Sequence, residues 1–226
     1  MFEDGFHSEI ESAALATGYG PILRNSGREA FSLRQQIFEQ VRASGRIARA
    51  TIARSLNVSP GSVTALTAEL IADGFLREVE GAARETSRGR PPVALEVVPE
   101  ALRVVGVKLS DETHTAVLTD LAGNLLASAA LGSTTDKKTA TDLLKDTENL
   151  MAQLCTAAEI PMDTISAIGV GISGIVDFES GMVAWSPLLQ NADVPLGQIL
   201  ADHFETPVRI DNDANVLTLA ELWFGA

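Results

Sequence analysis

Reactive and metal-binding side chains are scarce in this chain: one cysteine and three histidines in 226 residues. Cys155 has no partner for a disulfide, and with only His7, His114 and His203 beside it no zinc-ligand spacing exists within the chain. No metal and no cofactor are expected. Long hydrophobic runs are also missing. The most apolar stretch, residues 165–176, is broken by glycine and serine and falls well short of the roughly 20 residues a spanning helix needs. The acidic first residues lack the positively charged start of a secretory signal, so a cytoplasmic protein is expected.

Positive charge is the third shortage: 17 Lys and Arg against 30 Asp and Glu, a net −13. Spread evenly, that balance would exclude nucleic acid, but it is segregated. Residues 1–23 carry four acids and no base. Residues 24–90 carry eleven bases against seven acids, and residues 91–226 six bases against nineteen acids. Every base of the middle segment is arginine, the side chain suited to bidentate contacts with phosphates and base edges. Three regions follow: a tail over residues 1–25 to which no function is assigned, a basic domain over 26–98, and an acidic domain over 99–226.

Within the basic domain, Leu33, Ile37, Phe38 and Val41 recur at helical spacing up to Gly45. A short helix is expected over residues 49–56, with Ile52, Ala53 and Leu56 inward and Asn57 at the left-handed exit. Ser59-Pro60 is an N-cap followed by proline at the first helical position, and it starts a third helix whose predicted buried stripe is Val63, Leu66, Leu70 and Ile71. After Gly74 the period changes to two, through Phe75, Leu76 and Val79, then Val93, Leu95 and Val97. Helix, turn, helix and hairpin in this order describe a winged helix-turn-helix, whose last helix would enter the major groove N-terminus first. A three-helix domain with no nucleic-acid role fits the helices alone. The wing favours DNA, because Arg88-Gly89-Arg90-Pro91 matches the core of an AT-hook, in which two arginines lie in a narrow minor groove.

The third helix carries no Lys or Arg, so bidentate reading of guanine from it is unavailable. The expected division of labour gives Ser59, Ser62 and Thr64 modest base or phosphate contacts, gives Arg46, Arg49 and Arg54 the backbone, and gives Arg88 and Arg90 much of the affinity. Pro91-Pro92 stiffens the exit toward the second domain.

Beyond Pro99 the pattern is three strands, a helix, a strand, an irregular connection, a helix, a strand and a last helix. Strands are expected over residues 102–109, 113–119, 124–131, 165–172 and 208–210. Helices are expected over 137–159 and 196–204 and from Asn212 onward, and residues 184–195 read as irregular. Cys155 lies on or beside an apolar helix face, which points to an inert buried thiol.

Two stretches here carry a resemblance: the glycine-rich loop Gly169-Val170-Gly171-Ile172-Ser173-Gly174-Ile175-Val176-Asp177, and Asp211-Asn212-Asp213-Ala214-Asn215 with Glu221. The chain resembles a transcriptional regulator of the ROK family (repressor, open reading frame, kinase). The resemblance implies an actin-like α/β body that binds a sugar or sugar derivative, preceded by the all-α winged DNA-binding domain, in a homodimer or higher homo-oligomer on operator DNA. It implies sugar contacts from Ser173, Gly174, Asn212 and Asp213. In the family's kinases the residue at Asp213 accepts the proton of the attacking hydroxyl, and the residue at Asn212 holds a neighbouring hydroxyl. Independently of family, Asn and Asp there also suit a helix N-cap.

Family kinases carry a DxGxT phosphate segment after the first strand. Here that stretch reads Gly106-Val107-Lys108-Leu109-Ser110-Asp111-Glu112-Thr113, with lysine at the aspartate position, serine at the glycine position and two carboxylates where a triphosphate would sit. A sensor that keeps the sugar pocket and has lost phosphoryl transfer is therefore expected, which leaves Asp213 a vestigial base; the alternative is an ATP-dependent sugar kinase with an appended DNA-binding domain. The resemblance further implies that relatives continue past Ala226 into a second lobe.

Overall fold

The computed structural model describes residues 32–80 and 93–224. The chain divides into two compact units, with boundaries between Val98 and Pro99 and between Leu219 and Ala220. The tail over residues 1–25 and the Arg88-Gly89-Arg90-Pro91-Pro92 stretch lie outside the described residues.

The first unit begins with α1 (Leu33–Ser44), set by a capping box in which the Ser32 side chain accepts from the Gln35 amide and the Gln35 side chain returns to the Ser32 backbone. Next come β1 (Ile47–Ala48), α2 (Arg49–Leu56) and α3 (Pro60–Ala72). Asn57 closes α2 at φ 54°, and the Ser59 hydroxyl caps α3 by accepting from the Ser62 amide. β2 (Leu76–Glu80) and β3 (Val93–Val97) pair antiparallel, and β1 joins on the far side of β3 to give the order β1-β3-β2. Strand β1 is too short to announce itself by periodicity. Ile37, Val41, Ile52, Val63, Leu70, Leu76 and Leu95 form the buried centre.

One detail of α3 corrects the sequence reading. Leu66 and Ile71 are only half-buried, and the inward positions are Val63, Thr67 and Leu70. Thr67 is fully buried because its hydroxyl is satisfied internally, donating to the Val63 carbonyl and accepting from Arg49 Nε at 2.8 Å.

The second unit is built on a five-stranded mixed sheet of order β10-β7-β4-β5-β6. β4 (Arg103–Leu109), β5 (Thr113–Asp120) and β6 (Leu125–Gly132) form an antiparallel meander, and β7 (Ala167–Ile172) and β10 (Val208–Asn212) add in parallel to β4. The β5–β6 turn is tied by Asp120, which accepts from both the backbone and the side-chain amide of Asn124. α4 (Ala140–Ala157) lies against β5 and β6, α5 (Leu196–Phe204) lies against β10, and the two helices touch. The inward stripe of α4 is Leu143, Thr147, Leu150, Met151 and Leu154; each buried leucine there stabilises the layer by about 1.5–3 kcal/mol. α4 starts at Ala140 rather than 137 because Thr139 and Asp142 form a capping box. α6 (Asp213–Phe224) follows β10 directly.

The connection before α5 is more ordered than its composition indicates. β8 (Ile175–Asp177) and β9 (Met182–Trp185) form an antiparallel hairpin, so the stretch read as irregular from 184 begins inside a strand. Its turn is organised by Asp177, which accepts from the Ser180 hydroxyl and the Glu179 amide. Those bonds hold the Asp177 carboxyl below its usual value. Cys155 is half-buried, its Sγ 3.9 Å from Met162 Sδ, and burial pushes the thiol pKa up, as expected of an unreactive cysteine. Among the described residues no helix is long and apolar enough to cross a membrane.

Candidate functional site

Two groups of side chains carry candidate chemistry, one in each unit. In the first unit the outward face of α3 presents Gly61, Ser62, Thr64, Ala65 and Ala68, all exposed. The hydroxyls on it already have partners: Ser59 and Ser62 share a 2.8 Å bond, and Thr64 Oγ1 donates to the Pro60 carbonyl. Thr64 therefore offers an incoming group its methyl and an acceptor lone pair, with its donor occupied.

The three arginines expected to grip a phosphate backbone differ in their surroundings. Arg46 is well exposed, and its Nε lies 2.7 Å from Glu96, which Arg77 holds from the other side at the same distance. Arg77, then Arg46, keep the Glu96 carboxyl below its ordinary value. Arg54 is exposed and, among the described residues, bonds within its own helix, to the Ala50 carbonyl and the Thr51 hydroxyl. Arg49 is different: it reaches Thr67 on α3 and Glu78 on β2, the latter at 2.8 Å. It ties the third helix to the hairpin, which sequence spacing cannot show because the partners lie far apart in the chain. Arg88 and Arg90 lie outside the described residues.

In the second unit the four expected sugar-site residues are brought together. β7 and β10 run parallel in register, Ile172 opposite Asn212, so Ser173 and Asp213 leave the sheet at the same edge. Ligands bind at the carboxyl ends of strands in open α/β sheets. Ser173 Oγ donates to Asp213 Oδ2 at 2.6 Å, and Asn212 Nδ2 donates to the Gly174 carbonyl at 2.6 Å. Asn212 Oδ1 also accepts from the amides of Ala214 and Asn215, so the residue caps α6 while its amide nitrogen faces the loop. Cap and site are one arrangement. Asn215 completes it by donating to Asp211 Oδ1 at 3.0 Å.

Gly174 is required on two counts. Its φ of +144° is disfavoured for any residue with a side chain, and a Cβ there would stand 2.1 Å from the Trp185 carbonyl oxygen and 3.0 Å from Ser186 Cα. The β8–β9 hairpin therefore returns the chain onto the loop, so that the 185–190 segment, through Trp185 and Ser186, forms a wall of the candidate site. Sequence reasoning missed this wall; the turn residues Asp177 and Ser180 were the available signal. A cavity of about 390 Å³ lies beside these strand ends, bordered by Gly106, Lys108, Gly171, Phe178, Asp211 and Val216. Ser173, Asn212 and Asp213 present side-chain polar groups at the ends of the same strands.

The stretch corresponding to a phosphate segment is closed upon itself. The Ser110 amide donates to His114 Nδ1 at 3.1 Å, the Ser110 hydroxyl to the Thr113 carbonyl, and the Ser133 amide to the Glu112 carbonyl. Asp111 and Glu112 are exposed at its tip. The one described amide that points from Ser110 is thus taken by a side chain of the same unit.

With this geometry in place, comparison with known proteins is decisive for kinship. The ROK family model matches residues 104–226. The chain belongs to the ROK family. It is 32% identical over 183 residues to the xylose repressor of Caldicellulosiruptor bescii, covering 79% of this chain and 44% of that protein. To NagC of Escherichia coli K12, a DNA-binding transcriptional dual regulator, it is 29% identical over 192 residues, covering 84% of this chain and 46% of the relative. A solved ROK family transcriptional regulator, a homologue of the E. coli MLC protein, matches with a TM-score of 0.65 at 24% identity, over 83% of this chain and 47% of that one. The fold is thus the actin-like, mixed-sheet fold of ROK proteins, and the chain spans about half the length of the curated relatives it matches.

Proposed function

We propose that the chain is a sugar-responsive DNA-binding transcriptional regulator, a repressor in type, whose sugar-kinase-like unit binds a sugar or sugar derivative without phosphorylating it. The observation that carries this reading is the convergence of Ser173, Gly174, Asn212 and Asp213 at the ends of two parallel strands, beside a phosphate segment that is closed and acidic. The relatives named as xylose repressor and NagC support it. On this reading residues 26–98 form a winged helix-turn-helix, with α3 the recognition helix and β2 and β3 the wing, and residues 99–226 the sugar-sensing domain. Such a regulator works in the cytoplasm, as a homodimer or higher homo-oligomer on operator DNA.

The roles follow from the contacts. Asn212 Nδ2 and the Asp213 carboxylate offer a donor and an acceptor side by side, the pair needed to hold two adjacent sugar hydroxyls. Ser59, Ser62 and Thr64 line the leading end of the recognition helix. Arg46 and Arg54 are exposed and can turn toward phosphates, Arg49 supports the helix from behind, and Arg88 and Arg90 supply the minor-groove grip.

The alternative is a sugar kinase with a DNA-binding domain attached. Asp213 favours it, since a carboxylate needs no unusual pKa to accept a proton from a hydroxyl already losing it. The occupied Ser110 amide, Lys108 in place of the motif's aspartate, and the exposed Asp111 and Glu112 all oppose triphosphate binding.

One experiment separates the two. Calorimetric titration of D-xylose, N-acetylglucosamine and glucose into the full-length protein should show saturable heat for one of them, lost in Asn212→Ala, with no ATP-dependent phosphorylation. Phosphorylation abolished by Asp213→Asn would establish the kinase instead, and no binding of any sugar would remove the sensor.

A further inference from the structure

A largely shielded cluster of ionisable side chains in the second unit, with His114 at its buried end, belongs to neither site. His114 on β5 is completely buried, with Nδ1 accepting from the Ser110 amide. Its proton therefore sits on Nε2, which lies 3.2 Å from Asp146 Oδ2 on α4. The same carboxylate oxygen takes Lys138 Nζ at 2.7 Å, and both partners of that pair are mostly shielded from solvent. Withdrawing ionisable groups from water is costly unless they are paired, and a hydrophobic trio of similar volume would serve stability at least as well. The cluster calls for another explanation, and the backbone of Lys138 suggests one.

Lys138 docks against the wall of the candidate sugar site. Its amide donates to the Leu188 carbonyl at 2.7 Å, its carbonyl accepts from the Gln190 amide at 3.0 Å, and the Gln190 side chain donates to the Lys137 carbonyl at 2.9 Å. The segment so held folds back through Ser186, which is buried and whose hydroxyl accepts from the Leu188 amide. Trp185 and Ser186 press directly on Gly174, whose carbonyl orients Asn212. An unbroken series of contacts thus runs from the Ser110 turn through His114, Asp146 and Lys138 to the 185–190 wall and on to Asn212.

We propose that Lys138, fixed by Asp146 and His114, is the positioning residue of the sugar site, setting where the 185–190 wall stands against Gly174. This rests on the sugar-site reading of Ser173, Gly174, Asn212 and Asp213. None of the three clustered residues touches the ligand; they act through the wall.

The chain has two tryptophans, Trp185 in the wall and Trp223. In a Trp223→Phe background Trp185 is the one indole left in these 226 residues, so in this chain the wall can be read with or without a ligand. Lys138→Met and Asp146→Asn should shift the Trp185 emission maximum in the unliganded protein. They should also weaken binding of whichever of D-xylose, N-acetylglucosamine or glucose the wild type takes, by roughly two- to thirtyfold. Lys138→Arg, which restores the ion pair, should return both readouts toward wild type. Gln190→Ala cuts the same tether at an exposed position and should give the same changes in smaller measure, even if the buried variants fail to fold. An unaltered Trp185 spectrum in folded Lys138→Met and in Gln190→Ala overturns the proposal, as does equal loss of sugar affinity in Lys138→Arg and Lys138→Met. Should no sugar bind the wild type, the sugar-site reading falls, while the Trp185 spectra still decide whether Lys138 holds the wall.

Discussion

The two units use polar side chains in opposite ways. In the first, most of the described arginines bridge elements of the fold: Arg46 and Arg77 clamp Glu96, Arg49 ties Thr67 to Glu78, and Arg34 bonds Asp73. The outward face of its third helix is left uncharged apart from Glu69. In the second, Ser173, Asn212 and Asp213 are delivered by strand ends to one point, where Ser173 bonds Asp213 and Asn212 bonds a loop carbonyl and the first amides of α6. A count of charges therefore says little about how the first unit's arginines are engaged, while the motif residues of the second lie side by side. Exposed ion pairs are worth little in stability, so those of the first unit can be given up to a ligand, whereas the geometry around Gly174 cannot yield without the loop moving.

The sharpest contrast comes from Gly174→Ala. A methyl group 2.1 Å from the Trp185 carbonyl, at φ +144°, should cost about 3 kcal/mol or more, read as a lowered midpoint in urea unfolding together with lost sugar binding. An unchanged midpoint would show that the wall is loose. In the first unit, Arg49→Met leaves the buried Thr67 hydroxyl without its donor and should destabilise by about 1–3 kcal/mol, with little change in the salt dependence of DNA binding. Arg54→Ala should do the reverse, keeping stability while lowering the slope of log K against log salt by about 1. Equal salt slopes in the two variants would erase the distinction drawn between them. Arg88→Ala with Arg90→Ala should weaken operator binding at least tenfold in a gel shift, a loss of about 1.4 kcal/mol or more.

A smaller effect concerns pH. Burial holds the His114 pKa below the ordinary imidazole value, with Asp146 opposing the shift and Lys138 adding to it, while the Ser110 amide faces the other ring nitrogen. Between the lowered folded value and the ordinary value near 6.5 the unfolded chain binds a proton that the folded one refuses. Stability should therefore fall as pH drops below about 6.5, and His114→Gln should flatten that part of the profile. A wild-type curve as flat as the variant's would mean that the imidazole is not held as described.

Much of this architecture was legible beforehand, for identifiable reasons. The bounds of α2 and α5 matched because each has strong local signals: Asn57 at a left-handed exit, and an apolar helix beginning right after Pro195. The Ser173, Gly174, Asn212 and Asp213 grouping was implied by the family resemblance, and the structure brings the four together because β7 and β10 end side by side. Long-range partners were not legible. Nothing local marks β1, whose two residues pair with β3 across more than forty positions, and nothing marks Thr67 as buried until Arg49 is seen to satisfy it. The β8–β9 hairpin was hidden because its first strand, Ile175–Asp177, is only three residues long and lies inside the glycine-rich motif. The Lys138–Asp146–His114 cluster joins a helix, its approach and a strand, and periodicity reads all three positions as ordinary.

What unites the two units is the proposal that a sugar at Asn212 and Asp213 changes the grip on DNA. Such coupling is reciprocal and typically amounts to about 5- to 150-fold. The direct measurement is fluorescence anisotropy of a labelled duplex, selected from a random library by the full-length protein, with D-xylose, N-acetylglucosamine or glucose titrated in. One sugar should change DNA affinity at least fivefold, and the duplex should change that sugar's affinity by the same factor. Both effects should vanish in Asn212→Ala. DNA binding that is tight but indifferent to every sugar, in a protein shown to bind one of them, would contradict the coupling outright.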